Sequence, residues 1–138
     1  MRGRKFAIIL LLAATVVLVS CGKEAGGDGS SPYVDGSYDS ITAEEAKKMM
    51  EEESDCVVLD VRTEDEFREG HIPGAVLIPD YEIETRAEEL LTDKEQLILV
   101  YCRSGNRSKK ASEALVKLGY RNVKEFGGII DWPYEVAA

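Results

Sequence analysis

Two short apolar runs fix what this chain can fold into: Cys56-Val57-Val58-Leu59-Asp60-Val61 and Leu97-Ile98-Leu99-Val100-Tyr101. Neither alternates apolar with polar residues, so neither reads as a strand with one wet face. Such runs suit strands covered on both sides, as in a parallel sheet between helices. The intervening segments supply the helices. Thr42-Ala43-Glu44-Glu45 is a capping box, and Ala46, Met49 and Met50 add an apolar stripe, which predicts a helix over 42–52. Thr63-Glu64-Asp65-Glu66 is a second capping box, opening a short helix that stops near Gly70. A turn at His71-Ile72-Pro73-Gly74 leads to a short strand over 75–78, and a helix is expected over 83–91. After the second apolar run, 108–118 reads as a helix with Ala111, Ala114, Leu115 and Leu118 on one face and Gly119 as its stop. Residues 123–126 supply a last strand. The expected class is α/β: a single domain with a mostly parallel central sheet flanked by helices.

The reactive chemistry stands at one strand-to-helix turn, Cys102-Arg103-Ser104-Gly105-Asn106-Arg107. In open α/β sheets, ligands bind beyond the carboxyl ends of the strands. A helix starting at about Arg107 or Ser108 aims free backbone N–H groups and its positive dipole end at this turn. Gly105 permits the backbone angles that let successive N–H groups converge on an anion. Arg103 and Arg107 add donors shaped for oxyanions. Each of these favours the thiolate of Cys102 over a thiol of ordinary pKa, about 8.5. No histidine base is then required.

Charge is placed to match. The chain is acidic, with a net charge of −9. That argues against nonspecific nucleic-acid binding, which needs many cations to neutralise phosphates. Residues 40–101 carry 6 positive and 18 negative side chains, whereas 102–124 carry 7 positive and 1 negative. Positive charge thus concentrates at and just after one cysteine, which suits a small anionic substrate. Lys109, Lys110 and Lys117 read as a solvated helix face.

The N-terminus reads as an address. Arg2, Arg4 and Lys5 precede an apolar run over 6–19, shorter than the roughly 20 residues that span a bilayer. This is the pattern of a secretory signal peptide. Leu18-Val19-Ser20-Cys21 resembles the lipobox of bacterial lipoproteins, which implies cleavage before Cys21 and a diacylglycerol on its sulfur. Residues 1–20 would then be a lipoprotein signal peptide. The expected location is a bacterial cell envelope, on the extracytoplasmic side of the membrane, held by acyl chains worth about 0.8 kcal/mol per buried methylene. A plain signal peptide or an uncleaved anchor is the alternative. Residues 22–37 hold five glycines and three serines and read as a flexible tether, with an average reach on the order of 20 Å. The domain is expected over 38–138.

The loop from Cys102 to Ser108 resembles the active-site loop of single-domain rhodaneses. Further matches follow in the family's order: Leu59-Asp60-Val61-Arg62, Glu66-Phe67, Gly70-His71-Ile72-Pro73-Gly74-Ala75, and Gly127-Gly128 with Trp132. The resemblance implies a sulfurtransferase of the thiosulfate type. Cys102 would take the outer sulfur of a thiosulfate-like donor, become a persulfide, and pass that sulfur to a thiol or other thiophilic acceptor. Backbone N–H groups over 103–107, including those of Ser104, Gly105 and Asn106, would hold the persulfide, while Arg103 and Arg107 bind the donor's sulfonate. Asp60 and Arg62 would brace the loops around the site. The covalent persulfide is the carrier, and no separate cofactor is expected. No metal is expected either: His71 is the only histidine, and no ligand set stands at metal spacing. The expected partners are a small anionic donor, a thiol acceptor and, through Cys21, the membrane; the protein is expected to be a monomer.

Two other classes compete. A non-catalytic binding module of this fold commonly lacks the cysteine, which this chain retains; a redox or persulfide-carrier module would use it. A phosphatase of related fold uses Cys-x5-Arg, whereas here the arginine falls one residue earlier and makes a tighter cradle. Cys56 reads as a small buried hydrophobe, and Trp132 and Tyr134 as lid or core residues.

Overall fold

Thr42 and Thr63 begin two helices in the same way. Each hydroxyl accepts the N–H of the residue three positions on, and the glutamate there reaches back to the threonine N–H. These caps start α1 (Ala43–Glu52) and α2 (Glu64–Glu69). The computed structural model describes residues 37–138. The expected signal peptide over 1–20, Cys21 and nearly all of the expected tether lie outside the described residues. Among the described residues, no helix is long and apolar enough to cross a membrane.

The remaining elements are β1 (Asp39–Ser40), β2 (Val57–Asp60), β3 (Val76–Leu77), α3 (Ile83–Leu90), β4 (Ile98–Cys102), α4 (Asn106–Lys117) and β5 (Val123–Gly128). The strands form one sheet in the order β1-β5-β4-β2-β3, and every pair is parallel. The α/β class and the parallel sheet are as the apolar runs require. The central strand β4 is buried at all five positions. Alternate side chains pack to opposite faces. Leu59, Val61, Ile98, Val100 and Cys102 meet α3 and α4 through Ile83, Ala87, Ala111 and Leu115. Val58, Leu99, Tyr101 and Phe126 meet Ala46 of α1, together with Trp132.

Two elements differ from expectation. β1 is two exposed residues with no apolar pattern to announce it. It is held by the parallel pairing of Asp39 with Lys124 and an ion pair of 2.6 Å between the same side chains. α4 begins at Asn106 rather than at Arg107 or Ser108. Gly105, at φ +101°, turns the chain within one residue and lets the helix start sooner.

Asp60 and Arg62 lie on the α1 side of this framework. The Asp60 carboxylate accepts from the Tyr101 hydroxyl (2.6 Å) and from the Arg62 guanidinium (2.7 Å), while that guanidinium donates to the Gly70 carbonyl (2.7 Å). Tyr101 in turn accepts the Ile72 N–H at 3.1 Å. This buried network ties β2 and β4 to the turn over 70–75. His71 closes the same corner, stacked on Phe67 at 3.8 Å and paired with Ala137 through two backbone hydrogen bonds. Replacing Asp60 by Asn leaves the Arg62 guanidinium buried beside a neutral amide. We expect a loss of about 3–5 kcal/mol of unfolding free energy in urea titrations; a loss below about 1 kcal/mol would remove this network from the account.

Candidate active site

Gly105 determines how the sulfur of Cys102 is surrounded. Its left-handed conformation brings its own N–H to 3.0 Å from Cys102 Sγ. Ser108, in the first turn of α4, places its Oγ 3.4 Å from the same sulfur. Burial raises the Cys102 pKa, but hydrogen bonds from the Ser108 hydroxyl and from the backbone N–H groups of Ser108, Gly105 and Ser104 outweigh it, so the net shift is downward. The site therefore favours a thiolate through the hydrogen bonds donated to it.

The loop keeps this shape because β5 presses against it. Between Val100 and Cys102 the register of β4 with β5 shifts, pairing Val100 with Glu125 but Cys102 with Gly128. The extra residue bends β5 at Gly127, φ +88°. A Cβ on Gly128 would overlap the Arg103 carbonyl group and the Ser104 Cα. Glycine there lets β5 lie directly under the loop, and the Ile130 N–H donates to the Arg103 carbonyl at 3.3 Å.

The two arginines are placed differently. Arg103 is exposed on the rim, as are Ser104 and Asn106. Arg107 is half-buried and forks onto Glu66 of α2 through two hydrogen bonds of 2.8 Å. That guanidinium, with the Thr63 backbone and hydroxyl, holds the Glu66 carboxyl down to about 2 against a partial opposing effect of burial. Among the described residues, no group of His, Cys, Asp or Glu could hold a metal ion.

A model of the rhodanese-like domain matches residues 42–133. The chain belongs to the rhodanese-like domain family. It is 37% identical over 108 residues to a putative sulfur carrier protein, YrkF, of Bacillus subtilis, a match covering 78% of this chain and 57% of that protein. The chain thus spans somewhat more than half of YrkF. It is 36% identical over 93 residues to a sulfurtransferase of Allochromatium vinosum, covering 67% of this chain and 85% of the relative. Thiosulfate sulfurtransferase PspE of Escherichia coli is 36% identical over 73 residues, covering 53% and 70% respectively. Among solved structures, a rhodanese-related protein of Thermoplasma volcanium superposes with a TM-score of 0.64 at 33% identity, covering 72% of this chain and 98% of that one. Sulfur transfer is thus the activity of the family to which the chain belongs.

The structure brings Cys102, Gly105 and Ser108 together and sets Arg103, Ser104 and Asn106 around the rim. It places Asp60 and Arg62 apart from the sulfur, on the opposite face of the rhodanese sheet. Cys56 lies at the other end of that sheet. Val57 pairs with Ile98, so Cys56 is level with Leu97 and five residues from Cys102, about 16 Å along a strand. That is too far for a disulfide. Burial and the neighbouring Glu53 push the Cys56 thiol up, so it is a poor nucleophile.

Sequence reasoning missed two residues behind the cysteine, Ser108 and Glu125. Spacing offered a faint signal for Ser108, one turn into a helix that starts at the loop. Alternation from Val123 puts Glu125 on the same face of β5, but nothing in the local pattern shows that this face meets Ser108. The Glu66–Arg107 pair gives a pH dependence with a definite sign. Its carboxyl is depressed in the fold, so the stability it contributes is present above about pH 4.5 and is lost as pH falls toward 2. Thermal melts across that interval should decline more steeply for the native protein than for Glu66→Gln; parallel declines would contradict the pairing.

Proposed function

We propose that this protein is a sulfurtransferase in which Cys102 carries sulfane sulfur as a persulfide. The observation that carries the reading is the convergence of donors on Cys102 Sγ, with the Gly105 N–H at 3.0 Å. The Cys102 thiolate attacks the outer sulfur of a thiosulfate-like donor. A sulfur–sulfur bond forms to Cys102 as the donor's own sulfur–sulfur bond breaks, and sulfite departs with that electron pair. An acceptor thiolate then attacks the outer sulfur of the persulfide and regenerates the Cys102 thiolate. The backbone N–H groups of the loop stabilise negative charge on either sulfur, and sulfite leaves without a general acid.

Arg103, exposed at the rim and without an ion pair among the described residues, is placed to meet the donor's sulfonate. Arg107 contributes its charge while tied to Glu66, and presents to the anion only what the ion pair leaves uncovered. A residue only 1% exposed gives a sulfur little room for a phosphate group, which supports sulfur chemistry over a phosphatase. The likeness to YrkF supports a second reading in which the persulfide is handed to a protein thiol, making the chain a carrier.

The reading also places the protein outside the membrane on a lipid attached to Cys21. Mass spectrometry of the intact protein after incubation with thiosulfate tests the chemistry. One added sulfur is expected on Cys102 and none on Cys102→Ser. No adduct, with hydrolysis of an aryl phosphate instead, would overturn the reading in favour of a phosphatase. The same measurement on the membrane fraction should find a diacylglycerol on Cys21; a soluble, unmodified chain would overturn the anchor.

A further inference from the structure

Glu125 is a carboxylate with 3% of its surface exposed, on the same face of the sheet as Cys102. Its Oε1 accepts the Ser108 hydroxyl at 2.7 Å and the Gly127 N–H at 2.8 Å. No lysine or arginine pairs with it among the described ion pairs: Lys124 beside it turns outward to Asp39, and Arg107 is held by Glu66. Carboxylates rarely occupy such a place without a function, because their burial is costly.

Ser108 has one hydrogen to give and several acceptors around it. Glu125 Oε1 lies at 2.7 Å, the Gly105 carbonyl at 3.0 Å and the Gly127 carbonyl at 3.5 Å. The charge-assisted bond to the carboxylate wins. Ser108 Oγ then turns a lone pair toward Cys102, and the thiol donates to it across 3.4 Å. The result is one continuous chain: Sγ–H to Oγ, Oγ–H to Oε1.

We propose that Glu125 takes the proton of Cys102 through Ser108. The thiol hydrogen passes from Sγ to Ser108 Oγ as the serine's own hydrogen passes to Glu125 Oε1. The S–H and old O–H bonds break, a new O–H bond forms on each oxygen, and no atom leaves the site. The negative charge moves from the carboxylate to the sulfur, so the buried site holds one negative charge before and after. The Ser108 hydroxyl is then free to turn to the thiolate, joining the Gly105 N–H. When an acceptor removes the sulfur, the same chain returns the proton to Cys102. Glu125 is a positioning residue that acts on the nucleophile through Ser108.

The inference rests on Cys102 being the nucleophile. The other charged or titratable groups nearby are Arg103 on the loop, Arg107 with Glu66 and Asp80, Glu113 on α4, Tyr38, whose hydroxyl is raised by burial and then by Glu113 and Glu125, and Lys124 with Asp39. Among the described hydrogen bonds, none of these groups joins the chain from Cys102 through Ser108 to Glu125.

The test is the rate of Cys102 alkylation by iodoacetamide, read by peptide mass spectrometry as a function of pH. A proton shared by one carboxyl and one thiol gives a rate that is flat across the interval between the pair's two ionisations, from about pH 5 to 8. Glu125→Gln and Ser108→Ala should replace the plateau with a rise of about tenfold per pH unit, as for a single ionisation, while Ser108→Thr retains the plateau. A plateau retained in Glu125→Gln, or a native protein without one, overturns the relay. So does a change in Glu125→Gln that Ser108→Ala does not share, which would make Glu125 a through-space charge. Sulfur gain from thiosulfate is scored separately: a plateau without sulfur gain retires the proposed function and leaves the relay standing, and the reverse result does the opposite.

Discussion

Everything at the carboxyl end of this sheet depends on one close approach, that of β5 to the turn after β4. Gly128 lies where a side chain would strike the Arg103 carbonyl, and Gly105 adopts a backbone angle that other residues rarely take. With both in place, the turn is tight enough to point its N–H groups at the Cys102 sulfur, and α4 starts one residue after Gly105. Opening the turn would lose the donors and the helix start together. The bulge in β5 belongs to the same constraint, because it brings Gly128 level with Cys102 and turns the Gly127 N–H back onto Glu125.

A division of labour across the sheet follows. On the α1 face, Asp60, Arg62 and Tyr101 form a buried network that fixes the turn over 70–75. On the other face, Cys102, Ser108 and Glu125 form a chain that reaches the reactive sulfur. Alternation along β4 puts neighbours Tyr101 and Cys102 on opposite sides, so the structural and the chemical networks share a strand without sharing a hydrogen bond. The acidic average of the chain conceals this arrangement, since most of its carboxylates are remote from the loop. The one carboxylate close behind the cysteine is buried and bonded to Ser108, and the one beside Arg107 is locked into an ion pair.

Much of this was legible in the residues. Two unbroken apolar runs implied strands covered on both sides, and β2 and β4 are such strands. Two capping boxes set the starts of α1 and α2, and a glycine after a cysteine implied an anion cradle at a strand end. What stayed hidden depends on contacts far apart in the chain. β1 is too short and polar to carry a pattern, and exists because β5 offers it an edge. The engagement of Arg107 with Glu66 links α2 to α4 across 41 positions, and the bond between Ser108 and Glu125 joins α4 to β5 across 17. Local pattern reports which face a residue occupies; it does not report a bulge.

The central claim is that a cradled Cys102 thiolate accepts sulfur before any acceptor is present. Rapid mixing of the reduced protein with excess thiosulfate, with no thiol or cyanide added, measures it directly through the sulfite released. A burst of about one sulfite per chain, absent in Cys102→Ser, is the result this account predicts. Sulfite release that awaits the acceptor, or that persists without Cys102, would contradict it.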